Sequence, residues 1–385
     1  MGRFTTLLCA LAAVSLLAAC ATAPGPKPDA LFDDAAFRPP SVPTDAAGVF
    51  AISAPMRQYL DTEIRREVNW RSSPAGLIDA LYTRGKLQLE YDSTRTRNAA
   101  EAFDARAGNC LSLVLMTAAF AKEMHLSITY RTADREEIWG PAGDLLVRSG
   151  HVNITIGAIV AGNWTDRMSP SMTVDFLPQR NLASLHTREI SEQTVVAMYM
   201  NNRAVESLLD GGIDDAYGWT RAAILADPTF TSSYVTLGVV YLRHGDLARA
   251  ETALNRVLES APRNTSALSN LAEVLDREGR GAAADVVRSR LTALEPIPPF
   301  FFYRQGVAAM ASGDYRAARD LFAREIKRAD YDYELHYWLA LADFRLGELG
   351  PARREMEQAR ENSPTGRARD LYAAKLAWLQ AQTHP

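Results

Sequence analysis

The sequence predicts an α+β domain, helices followed by an antiparallel sheet, joined to an all-α helical repeat array. Three observations predict it. Up to about Met124 the apolar residues group into helix-like runs, after which "LSITYRTA", "HVNITIGAIV" and "MTVDFL" alternate singly, the signature of strands. Helices followed by strands, without helix–strand alternation, indicate an antiparallel rather than a parallel sheet. Beyond Gln193 the pattern changes again, to a strict period: glycines fall at Gly211, Gly245, Gly279, Gly313 and Gly347, each 34 residues after the last.

A chain of 385 residues is too long for one typical domain, and 47 % hydrophobic against 23 % charged residues is a balance that buries sizeable cores. A net charge of −4 with no long basic cluster argues against a phosphate-backbone binder, so nucleic acid is not an expected partner.

The first element is a targeting segment. Arg3 precedes "LLCALAAVSLLAAC", an apolar stretch too short for a membrane span and suited to a signal-peptide core. It ends in Leu17-Ala18-Ala19-Cys20, which resembles the lipobox of bacterial lipoproteins. That resemblance implies a signal peptide over 1–19 and lipidation of Cys20. With Ala21 rather than Asp next, it also implies the periplasmic face of the outer membrane. An ordinary secretory signal is the alternative. Residues 20–48, rich in Pro, Ala and Asp, then read as an extended tether. Of the three cysteines, Cys9 leaves with the signal and Cys20 carries the lipid. Cys110 remains as a lone thiol in an oxidising compartment.

Residues 49–192 form the α+β domain. "VFAISAPMRQYLDTEI" and "LIDALYTRGKL" read as helices broken at Ser72 to Pro74, and a further apolar helix starts at Cys110, after Gly108 and Asn109. A helix N-terminus offers unpaired N–H groups and partial positive charge, which favour a thiolate and face a developing oxyanion. Free cysteine is also among the most buried residue types, so an inert core thiol is the alternative. A nucleophilic thiol needs a base. His125 lies 15 residues further on, about 22 Å along a helix. His244 and His336 belong to the repeats, His384 to the tail and His186 to a turn. His151 opens an alternating strand directly after a glycine, where a side chain projects from a sheet rim. Asp175 stands in the otherwise apolar "MTVDFL", and a carboxylate there asks for a partner. Asp144 and Asp166 lie in more polar stretches.

Residues 193–385 are the repeat array. Alanines recur at Ala216, Ala250, Ala284, Ala318 and Ala352, and small residues at Ala204, Gly238, Ala272, Gly306 and Ala340. Prolines close four registers, at Pro228, Pro262, Pro296 and Pro364, with Asp330 in the fifth. This is the tetratricopeptide pattern of paired antiparallel helices: the glycine ends the first helix and the small residues let helices approach. "GRARDLYAAKLAWLQAQ" reads as a capping helix. Such repeats bind peptides or proteins. Tyr303, Met310, Tyr337 and Phe344, on the first helices of their units, are the candidate groove residues, or else pack between helices.

The order helix-start Cys110, strand His151 and next-strand Asp175 resembles the transglutaminase-like fold, a papain-related superfamily of cysteine hydrolases and acyltransferases. "GNCLSL", "GHVNI" and "VDFLP" carry the resemblance over roughly Ala75 to Gln193, although Val152-Asn153 replaces the usual His-Ala-Trp context. The resemblance implies Cys110 as nucleophile, His151 as general base and then acid, and Asp175 as orienter. The function it implies is a lipid-anchored periplasmic thiol peptidase, amidase or acyltransferase, working through a thioester, with the repeats recruiting a protein or peptide substrate. No cofactor or metal is expected. The alternative is a non-catalytic envelope scaffold that binds partner proteins through its repeats.

Overall fold

The computed structural model describes residues 28–65, 74–83, 87, 89–92, 94–142, 145–157, 171–176, 187–363 and 365–381. The signal-peptide and lipidation expectations, with Cys9 and Cys20, lie outside the described residues, as do Asp144, Asp166, His186, Pro364 and His384.

Helix α1 (Ala54–Tyr59) starts from a Ser53 cap and runs on as a π-helical stretch over Leu60–Ile64. Helix α2 (Pro74–Ile78) continues in the same way over Asp79–Thr83. Strand β1 (Glu90–Tyr91) pairs in parallel with β2 (Ala107–Gly108). Between them α3 (Ala99–Ala105) opens on a full capping box, in which Asn98 and Glu101 each accept the other's backbone N–H. Helix α4 (Cys110–Glu123) is buried at every residue from Cys110 to Ala121. A helix that is apolar all round belongs at the centre of a domain, and this one does.

The sheet is antiparallel, in the order β5-β4-β3-β6. Its strands are β3 (Ser127–Ala142), β4 (Leu145–Gly157), β5 (Ser171–Val174) and β6 (Thr187–Ile190). The β3–β4 hairpin is longer than the sequence alternation indicated, because its distal half consists of charged and glycine-containing sequence without a period of two.

Five helical hairpins and a cap follow. The hairpins are α5 (Glu192–Leu209) with α6 (Ile213–Ala226), α7 (Thr231–His244) with α8 (Leu247–Ser260), α9 (Thr265–Arg277) with α10 (Gly281–Leu294), α11 (Phe301–Ser312) with α12 (Tyr315–Ile326), and α13 (Tyr333–Arg345) with α14 (Leu349–Glu361). The cap is α15 (Gly366–Ala381). All five periodic glycines have φ between +75° and +92°, and none has an atom within 4 Å of where a Cβ would stand. Their role is therefore conformational. Gly238 and Gly306 serve close approach instead. A Cβ on Gly306 would lie 2.6 Å from Phe322 Cε1.

Three features differ from the sequence reading. Within the segment read as a tether, Leu31 to Phe37 is docked on the repeats. Phe37 is buried and stacked on Tyr217 at 3.9 Å, Asp33 and Asp34 pair with Arg249 and Arg221, and the Tyr241 hydroxyl donates to the Leu31 carbonyl. An aromatic ring and two carboxylates with facing arginines hold a proline-rich strand that composition alone assigns to solvent. Second, the boundary at 193 cuts through one core: Val195, Met198, Tyr199, Met200 and Trp219 from α5 and α6 share a cluster with α4 and the sheet. Third, the array has a joint at 295–300. The core of the first three units and that of the fourth are separate clusters, and α10 buries only Ala284 while Val286 stands exposed.

Candidate active site

Helix α4 begins on Gly108-Asn109-Cys110, and each residue has a local reason. Asn109 is the N-cap: its Oδ1 accepts from the Ser112 N–H and from the Ser112 hydroxyl, each at 2.9 Å. Gly108 is required by space, since a Cβ there would sit 2.6 Å from Ser112 Cβ. Cys110 is the first helical residue and is buried. The cap takes the Ser112 N–H and the Asn109 carbonyl takes that of Leu113. Among the described residues this leaves the N–H groups of Cys110 and Leu111 without acceptors, pointing off the helix end.

His151 comes to this helix end from β4. The β3–β4 register shifts between Thr132 and Glu136, so residues 133–135 bulge opposite His151, and the Thr132 hydroxyl donates to the His151 carbonyl at 2.9 Å. Bulges re-aim the facing strand, and this one stands beside the imidazole. His151 Nε2 lies 2.8 Å from Asp175 Oδ2. Asp175 follows directly on β5. By the register that pairs Ile154 with Val174, it stands across from Asn153 and diagonal to His151. Asn153 Nδ2 also approaches Asp175, at a long 3.4 Å.

Nδ1 of His151 is buried and has no partner in hydrogen-bonding alignment, although the Cys110 thiol acts on the ring at close range. Since Nε2 is taken by Asp175, Nδ1 is the nitrogen left for the sulfur. Burial opposes charge on the ring. The hydrogen bond to Asp175, the Asp175 charge and the neighbouring Cys110 thiol outweigh it and raise the imidazole to about 10.

The structure thus pairs His151 directly with Asp175 and sets the Cys110 thiol close enough to act on the same ring. It does not bring the four groove candidates into a groove. Tyr303 and Met310 belong to the cluster around Phe322, with Tyr303 edge-on to Trp338 at 6.5 Å. Tyr337 lies 5.5 Å from Tyr372, and Phe344 lies 5.2 Å from Trp378 on the cap. They pack between helices. The repeat period locates a residue on its helix but leaves open which way it faces once the cap is docked.

A groove exists elsewhere. A cavity of about 550 Å³ runs along the first helices of the first three units, α5, α7 and α9. The rim of β3 and β6 (Thr132, Ile190) bounds one side, and Pro298 and Pro299 close it. A depression of about 640 Å³ between α14 and α15 is open to solvent. Asn201, buried in the wall of the first groove, has an Oδ1 without a hydrogen-bond partner. Asn153, Asn201 and Thr96 were not singled out in the sequence. Asn153 was legible as the next residue on the His151 face of the strand, whereas Thr96 carries no sequence signal. Among the described residues no cluster of three or more His, Cys, Asp or Glu could hold a metal, and no helix is long and apolar enough to cross a membrane.

A tetratricopeptide repeat family model matches residues 235–289 and 303–367. These segments are tetratricopeptide repeats. The gap between the two matches coincides with the joint at 295–300. No curated protein matches the chain. Among solved structures, a tetratricopeptide protein of Thermus thermophilus is 20 % identical, covering 47 % of this chain and 99 % of its own, with a TM-score of 0.28. PilF of Pseudomonas aeruginosa is 18 % identical over 50 % of this chain and 87 % of its own, also at 0.28. YrrB, titled a tetratricopeptide protein with an unusual peptide-binding site, is 17 % identical over 46 % and 92 %, at 0.25. Likeness at this level carries no argument about partner or activity.

Proposed function

We propose that this chain holds a protein or peptide partner in its repeat groove and acts on an acyl group of that partner through Cys110, His151 and Asp175. The observation that carries the reading is the buried His151, held by Asp175 through Nε2, with the Cys110 thiol acting on the same ring and a buried Nδ1 that no other group satisfies. A scaffold needs no such arrangement: a buried imidazole–carboxylate pair is costly to desolvate.

In the reaction proposed, the thiol proton passes to His151 and the sulfur attacks the carbonyl carbon of an amide. The C–S bond forms while the carbonyl π electrons move onto oxygen, where the N–H groups of Cys110 and Leu111 receive the charge. As the oxyanion collapses, the C–N bond breaks and His151 gives its proton to the leaving nitrogen. Water, or a second amine, then yields a proton to His151 and attacks the thioester. Breaking the C–S bond returns that proton to sulfur. Asp175 holds the ring in the orientation both transfers need. Lipid anchoring through Cys20 on the periplasmic side of the outer membrane belongs to the same proposal and rests on the lipobox residues.

A second reading, an envelope scaffold without catalysis, is favoured by the tetratricopeptide match and by the covered state of Cys110, 6 % exposed. Labelling the soluble protein with an activity-based thiol probe separates the two. The catalytic reading expects Cys110 to be labelled in the folded protein. It also expects envelope proteins to be processed differently in cells carrying Cys110→Ala. A Cys110 labelled only on unfolding, with an unchanged envelope profile, would leave the scaffold.

A further inference from the structure

Thr96 lies in the loop before α3 and is 1 % exposed, yet each of its polar atoms has a partner. Its N–H donates to Glu206 Oε1 at 2.6 Å and its carbonyl accepts from Arg203 Nη1 at 3.1 Å. Its hydroxyl oxygen accepts from Asn109 Nδ2 at 2.8 Å and from Asn202 Nδ2 at 3.2 Å. Three of these four partners are on α5, the first helix of the repeat array. The fourth is the cap of the helix that starts with Cys110. The next residue, Arg97, donates its N–H to Ser112 Oγ at 2.8 Å, so the loop is pinned across the first turn of α4 as well.

This network does more than join two domains. Asn109 spends its Oδ1 on the first turn of α4 and its Nδ2 on Thr96, so the rotamer that caps the Cys110 helix is set from both ends. An amide has two ends of opposite character, and fixing the donor end fixes the acceptor. Asn202, which shares the Thr96 hydroxyl, lines the repeat groove, next to the orphaned Asn201. Glu206 anchors the far side: burial pushes its carboxyl up, while hydrogen bonds from Thr96 and the charges of Arg203 and Arg95 pull it down.

We propose that Thr96 and Asn202 are positioning residues for the Cys110 thiol, so that a side chain in the wall of the repeat groove sets how the catalytic helix is capped. A partner that draws the Asn202 amide into the groove removes one of the two donors on the Thr96 hydroxyl and shifts the Asn109 cap. The inference rests on the proposed role of Cys110, and it deepens that role by coupling it to the groove.

The experiment is the rate of Cys110 alkylation by iodoacetamide in the full-length folded protein, followed across pH for the wild type, Thr96→Val, Thr96→Ser and Asn202→Ala. Thr96→Val keeps the shape and loses the hydroxyl. Asn202→Ala changes a half-buried groove residue and leaves the Cys110, His151 and Asp175 side chains untouched. Both are expected to change the rate by about fivefold and to displace the pH profile, the scale of one lost N-cap interaction. Thr96→Ser is expected to restore the wild-type profile. If the wild-type thiol does not alkylate until the protein unfolds, the nucleophile reading itself fails. If it alkylates, and Thr96→Val and Asn202→Ala match it at every pH, the coupling is overturned and the nucleophile reading stands. Should Thr96→Val fail to fold, Asn202→Ala alone decides between these outcomes.

Discussion

A chain that starts at Gln193 should not fold as the repeat array does in the whole protein. Removing residues 1–192 strips the cover from Val195, Met198, Tyr199, Met200 and Trp219, which are 0 to 7 % exposed in the core they share with α4 and the sheet. Burying one such side chain is worth about 1.5–3 kcal/mol, so the five amount to about 8–15 kcal/mol. The α5–α6 hairpin still covers part of each, and a loss of about half that sum is the expectation. A domain has about 5–15 kcal/mol of net stability in all, so the first hairpin should open while the later units persist. Urea unfolding followed by circular dichroism, together with Trp219 emission and a proteolysis map, reads this out. Expected are a red-shifted Trp219, early cuts within residues 193–226, and a resistant remainder beyond Thr231. The truncation also deletes Phe37, so Phe37→Ala in the whole chain is the control, expected to cost about 3 kcal/mol on its own. If the shortened chain melts at the wild-type denaturant concentration with unshifted Trp219 emission, the shared core is not what stabilises α5 and α6.

Gly108→Ala places a Cβ 2.6 Å from Ser112 Cβ, and should destabilise by about 1–3 kcal/mol in urea melts while slowing Cys110 alkylation. The pH dependence follows from His151, raised from 6.5 to about 10, and from His336, also raised: burial opposes its charge, but hydrogen bonds to Glu355 and the Asp330 carbonyl prevail. Both rings bind their proton more tightly when folded. Their contribution is therefore complete below 6.5 and is lost as pH rises through each raised value, about 10 for His151, so urea midpoints should fall above pH 6.5, and less steeply in His336→Gln. Cys20→Ser should abolish lipid labelling and membrane fractionation, and a protein that still partitions with membranes would sink the lipobox reading.

The periodic features were legible because they are set by local geometry. Gly211, Gly245, Gly279, Gly313 and Gly347 end helices in a left-handed turn that needs no tertiary partner, so their spacing alone announced the hairpins. Singly alternating residues announced β3 and β4 for the same reason, and Gly-Asn-Cys announced a capped helix start. That the helix is capped is written in three consecutive residues. That His151 and Asp175 reach its end, from 41 and 65 positions away, depends on strand register and on a bulge at residues 133–135, neither of which the residues declare.

What only the tertiary structure decided is where faces meet. Phe37 looked like part of a solvated, proline-rich tether until Tyr217, Tyr241 and His244 of later helices were placed beside it. Tyr303, Met310, Tyr337 and Phe344 had the right repeat positions for a groove, yet the turn of the chain at 295–300 and the docking of α15 gave them neighbours. Thr96, an unremarked threonine in a loop, joins the repeats to the helix that begins at Cys110 because four partners from the two parts of the chain converge on it. Helix propensity, capping and period act over a few residues and are written in order along the chain. Burial and hydrogen-bond satisfaction act between surfaces that share no sequence proximity, and only the folded arrangement brings those surfaces together.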